Sequence, residues 1–293
     1  MQFPVSISVK AACLTFACLI LASCATRPPK KIRLPPALAE ASGLVIAGNQ
    51  FWWHNDSGDG PFVYRTGPTG AVARKDSVSR RAVDFEDMCH DDRGNLYVGD
   101  FGNNTGRRPS LTIYRYDTVR QESDTIHFTY PDQDGSGIHQ PGNYNCEAMV
   151  YADDYLHLFT KDVLFGDRRW MTYHYRIPAR PGRYEAELVD SLRIPRRVVT
   201  AAALDRERGE LVLTAYTFKR ALGFLPSGSA SLITIRDFPG GRFLRGKLRR
   251  RNLSWTWPTQ FEAIDFYDDR WLYVASEANR VRKHALARRK RRR

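Results

Sequence analysis

Five stretches of the chain share one arrangement of polar and apolar positions. In each, a polar residue and a spacer are followed by a short apolar run, a turn, and a second run rich in aromatic and β-branched residues. Two such runs joined by a turn are the pattern of a β-hairpin. The pattern therefore predicts five related hairpins. They are SGLVIAGNQFWWHND from Ser42, EDMCHDDRGNLYVGD from Glu86, EAMVYADDYLHLFTK from Glu147, TAAALDRERGELVLT from Thr200 and EAIDFYDDRWLYVAS from Glu262.

The spacing of the hairpins favours one all-β architecture. Their first residues are separated by 44, 61, 53 and 62 residues, which is too variable for a tight solenoid and typical of propeller blades with unequal outer strands. A length of 293 residues suits a single all-β domain. We therefore expect a β-propeller of five blades, with six as the alternative. Further strands are predicted at 111–117, 124–130, 171–177, 185–192, 231–237, 242–248 and 280–286, and a strand from 30–34 is expected to close the last blade.

The N-terminal residues have the pattern of a bacterial lipoprotein leader. Lys10 precedes a short apolar run at 11–22, and LASC at 21–24 places two small residues before Cys24. That run is too short to cross a bilayer, and acylation of Cys24, with palmitate as one chain, would anchor the protein. An ordinary secretory signal with a chance cysteine is the alternative. The expected organisation is a signal peptide at 1–23, a lipidated tether at 24–36, a propeller domain at 37–286 and a basic tail at 287–293.

The net positive charge of the chain limits the classes of partner that we expect it to bind. The formal net charge is +13, much of it concentrated in KLRRR at 247–251 and RRKRRR at 288–293. Basic segments are most often solvated, but they also attract anionic lipid or polysaccharide. Nucleic acid is a poor partner for an envelope lipoprotein, and Ala25 gives no retention signal for the inner membrane. We expect a monomer at the outer membrane, with the membrane and either an anionic small molecule or a polyanionic envelope surface as partners.

Two cysteines are left for the folded domain. With the leader removed and Cys24 acylated, Cys89 and Cys146 remain in an oxidising compartment, where disulfides form. The sequence supports a Cys89–Cys146 disulfide and a pair of buried free thiols equally, so both alternatives stay open.

The first residues of the hairpins are candidate metal ligands. In a propeller the innermost strands line a central channel, so these residues would form a ring at one depth. Three carboxylates brought together must either bind protons or share a cation. Oxygen ligands of this kind suit Ca²⁺ better than Mg²⁺, although glutamates that merely begin strands and face solvent are the alternative. The candidate ligands are Ser42, Glu86, Glu147, Thr200 and Glu262.

A polar rim is expected beside this ring. In an antiparallel hairpin the start of the first strand lies next to the end of the second, so Glu86 and Asp100 would meet at one mouth of the channel. Asp100 is the candidate catalytic base. Ordinary turn formation is the alternative for the Asn and Asp positions. The candidate substrate-binding residues are Asn55, Asp56, Asn103, Lys161 and Glu277.

The order SGL, EDM, EAM, TAA and EAI, with HNDSGD after the first and LYVGDFGN after the second, resembles the calcium-activated nucleotidases (apyrases), which are five-bladed propellers. It is similar, more closely still, to Bacteroidetes-type envelope lipoproteins that have no assigned activity. The nucleotidase resemblance implies that Ser42, Glu86, Glu147 and Glu262 hold a central Ca²⁺, with Thr200 in place of a serine. Gly43 departs from the motif, which has an acidic ligand there, and the rim after Asp100 also differs.

Two functions follow from these features. The first is a lipid-anchored binding or assembly module whose Ca²⁺ is structural. The alternative is a Ca²⁺-dependent phosphoanhydride or phosphoester hydrolase, in which Asp100 is the base and Lys161 neutralises phosphate charge. The sequence leaves open whether the protein is an enzyme.

Overall fold

The computed structural model describes residues 28–56, 58–131, 133, 144–162, 169–221, 225–254, 260–278 and 283–292, without the side chains at 218–221, 225–228 and 254. Cys24 and the predicted signal peptide lie outside these residues. The described chain is all-β, with two short 3-10 helices at Pro36–Leu38 and Phe243–Arg245. No helix within it is long and apolar enough to span a membrane.

The strands form five sheets arranged as the blades of a β-propeller. Blade 1 is β2–β5, blade 2 is β6–β9 with β13, blade 3 is β10–β12 with β14, blade 4 is β15–β18, and blade 5 is β19–β21 with β1. The strands are β1 (Lys31–Arg33), β2 (Ala41–Ala47), β3 (Gln50–Asn55), β4 (Phe62–Thr66), β5 (Val72–Ser77), β6 (Phe85–His90), β7 (Asn95–Asp100), β8 (Leu111–Asp117), β9 (Glu122–Thr129), β10 (Cys146–Ala152), β11 (Tyr155–Thr160), β12 (Met171–Pro178), β13 (Gly182–Glu185), β14 (Glu187–Arg193), β15 (Val198–Asp205), β16 (Glu210–Ala221), β17 (Leu225–Arg236), β18 (Lys247–Ser254), β19 (Phe261–Phe266), β20 (Trp271–Ser276) and β21 (Leu286–Arg291).

The five predicted hairpins are the two inner strands of each blade. The first strands contact one another in a closed cycle, from β2 through β6, β10, β15 and β19 back to β2. They therefore surround the propeller axis, as the sequence pattern predicts. Five blades are confirmed, and the alternative of six is wrong.

The last blade is closed by the N-terminal strand, as predicted. β1 pairs antiparallel with β21, and Ile32 faces Ala287 across the ladder. Both side chains are buried, so this pairing joins the two ends of the chain through a small apolar contact. A closure of this kind makes the ring of blades depend on a strand of only three residues.

Two predictions near the C-terminus are wrong. The expected basic tail at 287–293 is mostly β21, because buried Ala287 turns inward while Arg291 stays exposed. A single small apolar residue among cations produces no alternation of apolar and polar residues, so the sequence predicts a tail and not a strand. The predicted strand at 242–248 is instead a 3-10 helix, Phe243–Arg245, followed by β18 from Lys247. The expected tether at 24–36 overlaps the strand predicted at 30–34, and the structure has β1 there.

An additional strand ties blade 3 to blade 2. β13 leaves the end of β12 and pairs in parallel with β9, so that blade 2 has five strands. Aromatic side chains fill the seam between the same two blades, where Tyr97 and Tyr151 stack with their ring centroids 5.8 Å apart. Such pairs add to the stability gained from apolar burial alone.

Both cysteines of the folded domain are buried free thiols. Cys89 and Cys146 are unbonded, which settles the alternative that the sequence left open. Burial raises the pKa of the Cys146 thiol to about 12 and that of Cys89 well above its usual range. Both sulfurs therefore stay protonated and unreactive in the folded protein.

Candidate metal centre

A β-bulge occurs at the same place in the first strand of every blade. In blade 1 the ladder pairs Ala41 with Asn55 and Gly43 with His54, which leaves Ser42 as the extra residue. A bulge bends its strand and re-aims the extra side chain. The residues left out of register in this way are Ser42, Glu86, Glu147, Thr200 and Glu262, the five candidate ligands.

The two hydroxyl residues among them connect neighbouring blades. Ser42 Oγ donates a hydrogen bond of 2.8 Å to the backbone carbonyl of Glu86, in the next blade. Thr200 Oγ1 donates one of 2.7 Å to the carbonyl of Phe261, which again belongs to the next blade. Both hydroxyl protons are therefore used to hold first strands together around the axis.

Carboxylates converge beside these residues. Asp56, Glu262 and Glu277 present oxygen atoms within 4.8 Å of one another, and so do Asp56, Asp84 and Glu86. Asp56 belongs to both groups, which together join blades 1, 2 and 5. We call these five residues the acidic cluster. Of the sequence-predicted residues, the structure therefore brings together Asp56, Glu86, Glu262 and Glu277.

Glu147 faces an ammonium group instead. Lys161 Nζ lies 2.7 Å from Glu147 Oε2, and Asn145 Nδ2 donates to Oε1 at 2.9 Å. Glu147 and Lys161 are both buried. The charge of Glu147, the third glutamate of the ring, is thus neutralised by Lys161. Lys161 is therefore an ion-pair partner of Glu147 in this structure, and its role in binding substrate stays a prediction.

Burial and mutual repulsion raise the pKa values of three carboxyl groups in the acidic cluster, those of Asp84, Glu86 and Glu277. Desolvation, followed by repulsion from Glu262, raises the pKa of Glu277 to about 10. Desolvation and the neighbouring Asp56 raise the pKa of Asp84 to about 7, and the pKa of Glu86 is well above its usual range for similar reasons. Near neutral pH these groups must therefore keep protons or be compensated by a cation.

A glycine backbone packs directly against two of these carboxylates. A Cβ at Gly102 would lie 2.2 Å from Glu86 Oε1 and 2.3 Å from Asp84 Oδ2. The backbone N–H of Gly102 also donates to the carbonyl of Asp84, at 3.2 Å. The loop after β7 therefore forms one wall of the cluster, and a side chain at position 102 would require both carboxylates to move.

Asp100 lies next to the acidic cluster and binds the backbone of the segment that contains Asp84. Its oxygens accept hydrogen bonds of 3.0 Å from the backbone N–H groups of Val83 and Asp84, and Arg108 lies 2.8 Å away. Asp100 pairs with Phe85 in the ladder, rather than with Glu86. Its carboxylate holds the segment that carries Asp84, and a role as catalytic base stays a prediction.

The two predicted asparagines form local structure. Asn55 Nδ2 donates to Asp59 Oδ2 at 2.9 Å and to the Ala37 carbonyl at 2.8 Å. Asn103 Oδ1 accepts a 2.9 Å hydrogen bond from the backbone N–H of Arg108. The contacts of both asparagines are therefore those of residues that stabilise turns and loops. A role for either in binding substrate stays a prediction.

Sequence reasoning missed two carboxylates near the axis. Asp84 lies two residues before Glu86, just outside the segments that define the repeat, although Glu40, Asn145 and Gln260 stand at the same offset in three other hairpins. Asp87 is fully buried and accepts hydrogen bonds from the backbone N–H groups of Met88, Met149 and Ala202, which lie in blades 2, 3 and 4. The adjacent Glu-Asp pair in the second hairpin is the one signal in the sequence for Asp87.

Comparison with solved structures supports the fold. An exo-β-1,3-galactanase from Clostridium thermocellum aligns with a TM-score of 0.56 and 13% identity over 89% of this chain and 59% of its own. An α-L-arabinanase from Penicillium chrysogenum, complexed with arabinobiose, aligns with a TM-score of 0.51 and 11% identity over 90% and 98% of the two chains. A virginiamycin B lyase from Staphylococcus aureus aligns at 0.40 and 12% over 86% and 66%.

The structural likenesses to the galactanase and the arabinanase support the architecture and nothing finer. This chain spans 59% of the galactanase chain and 66% of the lyase chain. No family model matches it, and no curated protein does. The fold and site define a five-bladed β-propeller with carboxylates gathered beside its axis. The resemblance to calcium-activated nucleotidases stays a prediction.

Proposed function

We propose that this protein is a cell-envelope propeller that binds a divalent cation, with Ca²⁺ preferred, at the acidic cluster and acts as a binding or assembly module. The observation that carries the proposal is the position of Asp56. Its carboxylate completes two groups of three, one with residues of blade 5 and one with residues of blade 2. A cation held there would connect the three blades that meet around Asp56.

The donor set supports Ca²⁺ over other ions. The acidic cluster contains only carboxylate oxygens, which are hard ligands, and Ca²⁺ accepts six to eight oxygens in flexible geometry. Mg²⁺ demands a stricter octahedron, and the softer metals prefer sulfur or imidazole. Burial strengthens the argument, because repulsion within the cluster would be relieved by a positive ion as well as by protons.

A cation titration tests this proposal. The purified protein is treated with chelator and then titrated with Ca²⁺ or Mg²⁺. The heat of binding is measured by calorimetry, and the melting temperature is measured at each cation concentration. Binding only to the folded state should add about 2.7 kcal/mol of stability at a hundredfold excess over Kd. Glu86→Gln should weaken the response, whereas Glu122→Gln, on an exposed strand position, should leave it unchanged. An unaltered melting temperature with millimolar Ca²⁺, Mg²⁺ or Mn²⁺ would refute the proposal.

The envelope location rests on the leader pattern around Cys24. Small residues before a cysteine, directly after a short apolar run, favour acylation there. Labelled palmitate should be incorporated into the wild-type chain in cells and be absent from Cys24→Ser. Incorporation into both chains, or into neither, would argue against the anchor without affecting the cation proposal.

A Ca²⁺-dependent hydrolase is the second candidate. It is favoured by the occurrence of the SGL, EDM, EAM, TAA and EAI segments at equivalent bulges in five successive blades. The same protein should then release phosphate from nucleoside diphosphates only when Ca²⁺ is present, and Glu86→Ala should abolish the release. Cation binding with no turnover of nucleotides or simple phosphoesters would leave the binding module as the function.

A further inference from the structure

Positive charge is concentrated on one side of the propeller. β18 contains four Lys and Arg residues, β21 contains four and β1 contains two, and none of these strands has an Asp or Glu. They are the outer strands of blades 4 and 5. The outer strands of the other blades, β5, β9, β13 and β14, each contain at least one carboxylate. The asymmetry therefore belongs to the fold and not only to the composition.

These strands form one continuous surface, which we call the basic edge. Arg251 Nη1 in β18 donates a 2.8 Å hydrogen bond to the backbone carbonyl of Arg291 in β21. Burial and then the nearby Arg288 and Arg251 lower the pKa of Lys290, which shows that the cations of two blades crowd one another. The cations Lys31, Arg33, Lys247, Arg249, Arg250 and Arg291 are exposed.

The chain leads into the basic edge from its N-terminal side. The carbonyl of Pro29 accepts a 2.7 Å hydrogen bond from the Tyr273 hydroxyl, and the carbonyl of Lys30 accepts one of 3.1 Å from the Arg289 backbone N–H. Arg289 also donates to the carbonyl of Pro28. Three residues separate Cys24 from Pro28, and the four steps from one Cα to the next span at most about 14 Å. An acyl group on Cys24 would therefore lie beside the basic edge.

We infer that the basic edge is the membrane-facing side of the protein and binds anionic phospholipid headgroups. The choice of lipid as the partner rests on the proposed function, because it requires the anchor at Cys24. The charge asymmetry of the outer strands is independent of that anchor. Each Lys or Arg near an anionic bilayer adds roughly 1 kcal/mol of attraction within a Debye length. With this edge on the membrane, the propeller rests on the outer strands of blades 4 and 5.

Vesicle sedimentation tests the inference. All variants carry Cys24→Ser and begin at that position, so that neither acylation nor the apolar leader run at 11–22 contributes, and chelator is present to exclude bridging by Ca²⁺. Vesicles are either phosphatidylcholine alone or an equal mixture with phosphatidylglycerol. The edge variant carries Lys31→Gln, Arg249→Gln and Arg250→Gln. The matched control removes the same charge from exposed positions of blade 2, in β13 and in the loops, through Arg107→Gln, Arg120→Gln and Arg183→Gln.

The expected result is binding to the phosphatidylglycerol vesicles that weakens at least ~10-fold in the edge variant, falls with added salt, and persists in the control. Equal loss in both variants, or equal binding to both vesicle types, would overturn the inference. So would edge-dependent binding to dextran sulfate without edge-dependent binding to vesicles, because the partner would then be a polysaccharide. The cation response of each variant, measured separately, shows whether the fold and the acidic cluster are intact.

Discussion

At the scale of single residues, Gly102 leaves the space that two carboxylates of the acidic cluster occupy. Its backbone lies where a Cβ would overlap Glu86 Oε1 and Asp84 Oδ2. Gly102→Ala should therefore displace both carboxylates and weaken Ca²⁺ binding at least ~10-fold, which corresponds to about 1.4 kcal/mol. The shift in melting temperature on adding Ca²⁺ measures the effect.

Gly67→Ala is the matched control for that substitution. No atom lies within 4 Å of the position where its Cβ would be, so the Ca²⁺-induced shift should equal that of the wild type. If Gly102→Ala also left the shift unchanged, the cation would have to bind somewhere other than beside Asp84 and Glu86.

Asp87 is the residue whose loss should most damage the centre of the propeller. Its buried carboxylate accepts backbone hydrogen bonds from three blades, at 2.8 Å from Met88 and Met149 and 3.3 Å from Ala202. In Asp87→Asn, one oxygen is replaced by an NH₂ group that points a donor at these donors. Leaving a buried donor without its acceptor costs about 1–3 kcal/mol, so the free energy of unfolding should fall by about 3 kcal/mol in a urea titration.

Asp117→Asn provides the comparison for Asp87. The Asp117 carboxylate also accepts two backbone hydrogen bonds, from Val119 and Arg120, but it does so in an exposed turn. The same substitution there should change the urea midpoint far less. Similar losses for the two variants would mean that Asp87 is not a special link between blades.

Residues that recur in the chain are predictable, and those that occur once are not. Glu86 and Glu262 stand out because the same hairpin position is polar five times. Asp84 lies just before the repeated segments, at an offset where Glu40, Asn145 and Gln260 also stand, so its signal falls outside the five segments. The contact between Gly102 and the carboxylates depends on how a loop returns after folding. The pairing of Glu147 with Lys161 follows from a fourteen-residue hairpin offset, yet the sequence did not reveal that Lys161 would neutralise a ligand.

At the scale of elements, the N-terminal strand controls closure of the ring. Ile32 is 1% exposed and is packed in the cluster of blades 1 and 5. Ile32→Ala leaves a cavity in a strand of three residues, so the free energy of unfolding should fall by about 2–4 kcal/mol. Hydrogen exchange at β21 should quicken, because β21 pairs with this strand.

Lys31→Ala, in the same strand, controls for the substitution itself. Lys31 is exposed, and surface substitutions usually change stability by less than about 0.5 kcal/mol. An equal loss for the two variants would show that closure depends on the backbone of β1 and not on the buried Ile32 side chain.

Elements with clear alternation are read from the sequence, and elements defined by tertiary pairing are not. The predicted strand at 111–117 coincides with β8, where buried residues recur at Leu111, Ile113 and Tyr116. β13 has only four residues and no apolar alternation, since it exists through its parallel pairing with β9. β21 is hidden for a related reason, because its inward Ala287 is surrounded by cations.

At the scale of the whole molecule, two sets of buried titratable groups oppose each other. Desolvation lowers the pKa of His54 to about 4 and that of His157 to about 3, so both stay neutral in the fold. Asp84 and Glu277 have raised pKa values, so ionising them costs folding energy. The carboxylates reduce stability as pH rises above about 4, while the histidines reduce it as pH falls below about 6.5.

His157 isolates the acid side of this balance. His157 Nδ1 lies 2.8 Å from His174 Nε2, and His174 Nδ1 lies 2.9 Å from Asp190 Oδ1, inside the packing of blades 3 and 4. The unfolded chain takes up a proton on residue 157 near pH 6.5, whereas the folded chain does so only near pH 3. Each pH unit between these values should therefore cost up to ~1.4 kcal/mol through this residue. His157→Gln should remove that share of the slope when the free energy of unfolding is measured by urea between pH 8 and pH 4. At pH 8 the histidine is neutral in both states, so the difference in the free energy of unfolding there reports lost packing alone. If the free energy of unfolding of the variant fell with pH in parallel with that of the wild type, His157 would not be held neutral by burial.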